Sequence, residues 1–165
     1  MKNLGLLILV LFGSTTMFAQ GQFRAGLSGG IPIGDAGDLA TFAIAVDLGY
    51  LLEITDKLDV GGTVGYSHSF GDTIEAGGEE FDIEDIQFVP IAASGRFEVA
   101  TSFTLGADVG YAIGIGEVED GGFYYSPRAQ YGVSESIDIV VAFRGITVDQ
   151  GGWDIISAGV EIGID

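Results

Sequence analysis

The chain has no cysteine, a single histidine, and six basic residues against 24 acidic ones. The first absence removes disulfide, thiolate and iron–sulfur chemistry, and it leaves the redox compartment open. With His68 the sole histidine, no multi-histidine metal centre can form. At a formal charge of −18 there is no basic patch to displace counterions, which excludes a nucleic-acid partner. Beyond the N-terminal segment lysine is confined to Lys57. The N-terminal apolar run, Leu6 to Phe12, is too short for a transmembrane helix.

What is present sits oddly beside that charge. Apolar residues make up 47% of the chain and glycine supplies 28 positions. Strongly acidic chains are ordinarily disordered or highly solvated, so here the acid must be segregated from the apolar residues. The start, "MKNLGLLILVLFGSTTMFAQ", has a basic residue at Lys2, the short apolar run and a small-residue exit, the pattern of a secretory signal peptide. Residues 1–19 are expected to be a cleaved leader, with 20–165 forming one domain.

In "ASGRFEVATSFTLGADVGYAIGIG" (Ala93 to Gly116), Ser94, Arg96, Glu98, Thr104, Asp108 and several glycines take even positions. Phe97, Val99, Phe103, Leu105, Val109, Tyr111, Ile113 and Ile115 take odd ones. Reading the whole chain for this period of two, with turn signals between, predicts eight strands. They are Gln22–Ile33, Thr41–Ile54, Leu58–Phe70, Gln87–Val99, Phe103–Ile115, Phe123–Val133, Ile137–Thr147 and Ile155–Ile164. Most exceed the usual length of about five or six residues, and a tilted strand of about 11 residues spans a bilayer. Connections alternate between tight turns ("TDK", "ATS", "SES") and longer segments ("GDAGDLA", "GDTIEAGGEEFDIED", "GEVEDGG", "VDQGGW").

All four arginines, Arg24, Arg96, Arg128 and Arg144, fall on the face opposite the apolar row. Asp47, Glu53, Asp59, Glu98, Asp108, Asp138 and Glu161 share that face. The near absence of lysine there argues against a water-facing sheet. It suits the inside of a narrow barrel, where the planar arginine fork can serve several carboxylates. Arg96, Arg128 and Arg144 are expected to build a mid-barrel polar network with Asp47 and Asp108, and Arg24 to pair with Glu161 where the first and last strands meet. Aromatics fall into two girdles, Phe23, Tyr50, Phe97, Phe103 and Tyr131 at the turn end, and Phe42, Phe70, Tyr111, Tyr125 and Phe143 at the loop end.

On this pattern the chain resembles the small eight-stranded outer-membrane barrels, the OmpA-like and OmpX-like β-barrel domain group, with a leader ending "FAQ" of Bacteroidota type. The resemblance implies an all-β, eight-stranded antiparallel up-and-down transmembrane β-barrel in the cell outer membrane, monomeric and in contact with its lipids. It departs from the group at "GVEIGID", where a terminal aromatic residue is usual.

No catalytic, cofactor or metal site is expected. Ser67 and Ser69 flank His68 but point to the other face, which is poor geometry for activating a nucleophile. The glycine-rich "GLSGG" and "GIG" lack the helix and lysine of a phosphate loop. Asp72, Glu75, Glu79, Glu80, Asp82, Glu84 and Asp85 crowd one loop, and Glu117, Glu119 and Asp120 another. Such oxygen-rich loops can take divalent cations, or simply form a hydrated surface. The expected role is structural or surface-interacting, with an external protein or surface ligand as partner. Three rivals stand beside it: a narrow porin or carrier of small hydrophobic solutes, a lipid-modifying enzyme, and a soluble secreted β-protein whose apolar face is covered by a partner.

Overall fold

Strict alternation gives a sheet one apolar and one polar face, and a sheet with no edges to spare must close on itself. The computed structural model describes residues 21–76, 79–116, 121–148 and 151–164, and in it the sheet closes. The expected leader, residues 1–19, lies outside the described residues, as do Glu117, Glu119 and Asp120.

The elements in chain order are β1 (Gly21–Ile33), a 3-10 turn (Gly34–Asp38), β2 (Ala40–Thr55), β3 (Leu58–Gly71), β4 (Thr73–Ala76) and β5 (Glu79–Asp82). They continue with β6 (Ile86–Ala100), β7 (Phe103–Ile115), β8 (Gly122–Gly132), β9 (Ile137–Val148) and β10 (Gly151–Ile164). Eight of them form one antiparallel barrel in which each pairs with the next, β3 with β6 across the small β4–β5 hairpin, and β10 with β1. The closing seam runs from Phe23 opposite Ile164 to Ile33 opposite Asp154.

The chain's three prolines fall where a ladder is interrupted, because proline has no N–H to donate. Between β3 and β6 the pairing skips Pro90 and resumes at Ser67 opposite Phe88. Between β8 and β9 it skips Pro127 and resumes at Arg128 opposite Ala142. Pro32 pairs with Ile155 of β10, after the β1–β2 ladder has stopped at Gly30 opposite Ala43.

Two connections differ from the sequence reading. Val148 and Gly151–Trp153 are strand and not loop: β9 runs to Val148, and β10 begins at Gly151, which pairs with it. Two glycines ahead of a tryptophan read as a turn, yet they open a strand whose Trp153 faces inward and is buried. The acidic segment between β3 and β6 is not plain loop either. It folds back as the β4–β5 hairpin, with Thr73 opposite Asp82 and Ala76 opposite Glu79.

The faces sort as the alternation requires. Outside stand Phe23, Leu27 and Ile31 on β1, Leu48 and Tyr50 on β2, and their counterparts on every barrel strand, all well exposed. The girdle aromatics pair across strands near the two rims: Phe23 opposite Tyr50 and Phe103 opposite Tyr131 at the turn end, Phe42 opposite Phe70 at the loop end.

Candidate functional site: the barrel interior

Each inward arginine is delivered by a strand whose neighbouring position faces out, so parity alone commits its guanidinium to the lumen. Arg96 of β6, Arg128 of β8 and Arg144 of β9 are all buried there, as are Asp108 of β7 and Glu161 of β10. Room is made by inward glycines. At Gly106, a Cβ would stand 2.6 Å from Cδ of Arg96 and 2.8 Å from the Gly95 carbonyl oxygen, so any side chain there would displace the arginine. Gly65 likewise leaves space for the Asp47 carboxylate.

The charges form two groups. In the first, Asp108 lies between two arginines: Arg128 donates from Nη2 at 2.5 Å, and Arg96 Nη2 stands 2.8 Å from the other oxygen. The Arg96 contact is off the hydrogen-bond axis, a charge contact more than a directed bond. Arg128 reaches on to Glu161 through Nη1 at 2.9 Å, and Gln130 donates to the same carboxylate at 2.9 Å. Glu161 and Asp138 are direct cross-strand partners, a like-charge pairing that would be unfavourable alone. Arg24 lies against both, 2.6 Å from Asp138 and 3.5 Å from Glu161. In the second group, Arg144 donates to both oxygens of Asp47, at 2.5 and 3.2 Å, and to Ser28 and Ser157.

All seven sequence-predicted residues thus lie in the lumen, but not as a single mid-barrel network. Arg144 and Asp47 stand apart from the Arg96–Asp108–Arg128–Glu161 chain. The nearer partner of Arg24 is Asp138 and not Glu161. Asp138 and Gln130 were readable as inward-facing by parity. Parity carries no information on their height along the barrel. Four arginines meet four carboxylates, Asp47, Asp108, Asp138 and Glu161, so the ion-paired set is neutral.

The two ends of the lumen differ in material. At the turn end a polar basin of about 490 Å³ is lined by Glu53, Asp59, Arg96, Glu98, Thr104 and Gln130, among others. At the loop end the lumen is apolar. Phe88, Tyr124, Ile146, Trp153 and Ile155 pack together, and the 3-10 turn folds Ala36 over them, fully buried. The rings of Phe88 and Trp153 lie 6.4 Å apart, and the indole N–H donates to Ser69 Oγ at 3.2 Å. That apolar group escaped the sequence reading, although the parity of Phe88, Ile146 and Ile155 already placed each of them inside.

Ser67 and Ser69 are buried on the inner face of β3, and His68 projects from the outer one. Among the described residues, no three or more of His, Cys, Asp and Glu gather so as to hold a metal ion.

These features define a class: a closed, eight-stranded antiparallel barrel, apolar outside and ionic within. No family model matches the chain, and no curated protein does. Solved structures do. Ail, the attachment invasion locus protein of Yersinia pestis, superposes with TM-score 0.56 at 13% identity, over 90% of this chain and 100% of that one. Neisserial surface protein A (NspA) gives 0.53 at 15%, over 88% and 98%. A de novo designed transmembrane β-barrel gives 0.55 at 12%, over 87% and 95%. A designed chain has no natural role to share, so likeness at these identities speaks for the fold alone.

Proposed function

We propose that this chain is an exported, monomeric outer-membrane protein of structural or surface-interacting kind, with residues 1–19 removed as its leader. Its lumen is closed to bulk solute flow, and its acidic loops face outward. It has no catalytic activity and needs no cofactor. The observation that carries this reading is the inversion of a soluble protein. Phe23, Leu27 and Ile31 are each more than 60% exposed, and the paired ions are inside. A continuous apolar exterior of this kind calls for lipid. Closure rests on two materials in series, ion-paired side chains in the middle of the lumen and packed aromatic and aliphatic side chains at the loop end.

The structure of Ail has also been determined in complex with the heparin analogue sucrose octasulfate. A sulfated polyanion would meet like charge on this chain's loops, so its surface ligand is neutral or cationic, with divalent cations able to bridge the loops to lipid phosphates.

A second reading, a conduit for small solutes, draws on the turn-end basin, an aqueous entry that goes partway into the barrel. Planar-bilayer recording of the purified protein separates the two. A closed lumen gives no stepwise current, whereas regular single-channel steps would replace the structural reading with the transport one.

A further inference from the structure

The turn-end basin is lined by more charge than the ion pairs of the lumen account for. Burial sorts that lining into a rim and a floor. Glu53, Asp56, Lys57 and Glu98 stand exposed on the rim, with Asp59 half-buried beside Glu53. Arg96, only 4% exposed, lies on the floor with Arg24.

None of the rim groups makes an ion pair within 4.0 Å among the described residues, so four carboxylates stand against one ammonium group. Glu53 and Asp59 are direct partners across β2 and β3, and like charges so placed repel. Asp138 and Glu161 are paired in the same way, but Arg24 is laid against both. The rim pair has no such contact, because Arg96, opposite Asp59 on β6, turns to Asp108 instead.

The floor has the opposite sign. It holds two guanidinium groups against the one carboxylate of Asp138. Arg24 meets its acids through Nη1 alone, and on a side chain 23% exposed its Nη2 makes no hydrogen bond. Arg96 shares Asp108 with Arg128. Its Nε is buried with no acceptor, as is that of Arg24. Buried donors are ordinarily paired, so these two mark a place that suits an anion.

A cavity of about 490 Å³, within the usual range for a small-molecule site, thus has a cationic floor and an anionic rim. Charges set in a concave wall focus the field inside it. A metal ion does not suit this division, since among the described residues no three acids gather on one point. A simple anion would be repelled at the rim. A zwitterion matches both signs, but its α-ammonium group is joined to the same carbon as its carboxylate and stays at the floor. Only a second ammonium group, carried on a side chain, reaches the rim.

We propose that the basin is a binding site for a basic amino acid, free or at the carboxyl end of a short peptide. Its carboxylate lies on Arg24 Nη2 over Arg96, and its side-chain ammonium group lies among Glu53, Asp59 and Glu98. Both contacts are charge-assisted, and the planar arginine fork suits a carboxylate. That the basin opens towards the periplasm rests on the outer-membrane reading above; the site itself does not.

The experiment adds L-lysine to the full barrel in detergent micelles at physiological salt and follows backbone ¹H–¹⁵N shifts. Saturable shifts are expected at the turn end, in residues 53–60, 96–104 and 130–138. Norleucine lacks the side-chain ammonium group and cadaverine the carboxylate, and each should bind about tenfold more weakly, the loss of one charge-assisted contact. Glu53→Gln combined with Asp59→Asn should weaken lysine and leave norleucine unchanged. Arg24→Lys keeps a cation for Asp138 but removes the fork, so lysine should lose its advantage over cadaverine. Unheated gel mobility shows whether each variant is folded, and the ligand series on the unaltered chain tests the floor even if Arg24→Lys does not fold. Gly-Gly-Lys is compared with lysine, and the tighter of the two names the source, either order supporting the site. Equal binding of lysine, norleucine and cadaverine would overturn the proposal. So would shifts confined to the β4–β5 hairpin, lysine binding untouched by the rim substitutions, or no saturation at all. Because every readout is taken in micelles, a failed membrane assignment would leave the result interpretable.

Discussion

Replacing Arg128 with methionine tests the ionic interior at its joint. The guanidinium bridges Asp108 at 2.5 Å and Glu161 at 2.9 Å, with the arginine and Asp108 almost wholly buried. At an effective dielectric of about 20, each contact is worth ~4 kcal/mol gross, and burying the cation costs several kcal/mol in return. Removing one partner of a buried pair ordinarily destabilises by about 3–5 kcal/mol, since a carboxylate is left uncompensated. Here neither carboxylate is stranded. Asp108 keeps Arg96 at 2.8 Å, and Glu161 keeps Gln130 at 2.9 Å and Arg24 at 3.5 Å. The expected loss therefore falls at the low end, about 3 kcal/mol. Urea titration of the refolded barrel, read as folded and unfolded bands on unheated gels, measures it. In an Asp108→Asn background the same substitution should cost ~1–2 kcal/mol less, because one of its two partners is already neutral. A loss below about 0.5 kcal/mol, the size of a neutral surface change, or an equal loss in both backgrounds, would refute the network as a source of stability.

Trp153→Ala should destabilise by about 3–5 kcal/mol in the same titration. As the only tryptophan, its emission in the wild-type protein should be blue-shifted and resist quenching by acrylamide; ready quenching would contradict the apolar loop-end packing. Gly106→Leu puts a branched side chain where Arg96 Cδ and the Gly95 carbonyl stand, so refolding yield should fall sharply, and a normal yield would show the lumen to be looser than described. Leu48→Arg, on the outer face at mid-barrel, should cost ~2–4 kcal/mol in bilayers, against almost nothing if that face were covered by water.

Much of this was written in the period of two. Phe103–Ile115 appears in the structure with the bounds read from sequence, because its alternation is unbroken and turn residues mark both ends. The start of β10 was hidden by Gly151 and Gly152, which carry no side chain to register a face. The β4–β5 hairpin was hidden for another reason. Four-residue strands in an acidic stretch hold by local pairing, with little alternation to read. In the lumen, parity identified every inward arginine and acid, yet partners depend on height, and height depends on the stagger of eight strands. Hence Arg24 meets Asp138, two strands away through β10, at closer range than Glu161 on the adjacent strand. A sequence pattern that lists faces has no coordinate along the axis with which to choose between them.

The stagger also suggests why the lumen is ionic at all. Buried ion pairs add little net stability compared with well-packed apolar residues, and the loop end of this barrel does use Phe88, Ile146 and Trp153. An apolar lumen throughout, however, would make every strand apolar on both faces. Nothing would then distinguish outside from inside, and a slip of one residue would be silent. With Arg96, Asp108, Arg128 and Arg144 fixed at inward positions, the same slip turns charges out to the apolar exterior, at ~2–4 kcal/mol for each arginine near the midplane. The ions therefore act mainly by penalising wrong registers. Near the loop rim the 3-10 turn packs over the lumen and the ends of β9 and β10 are paired, Val148 opposite Gly151, and there the lumen can be apolar without loss of specificity.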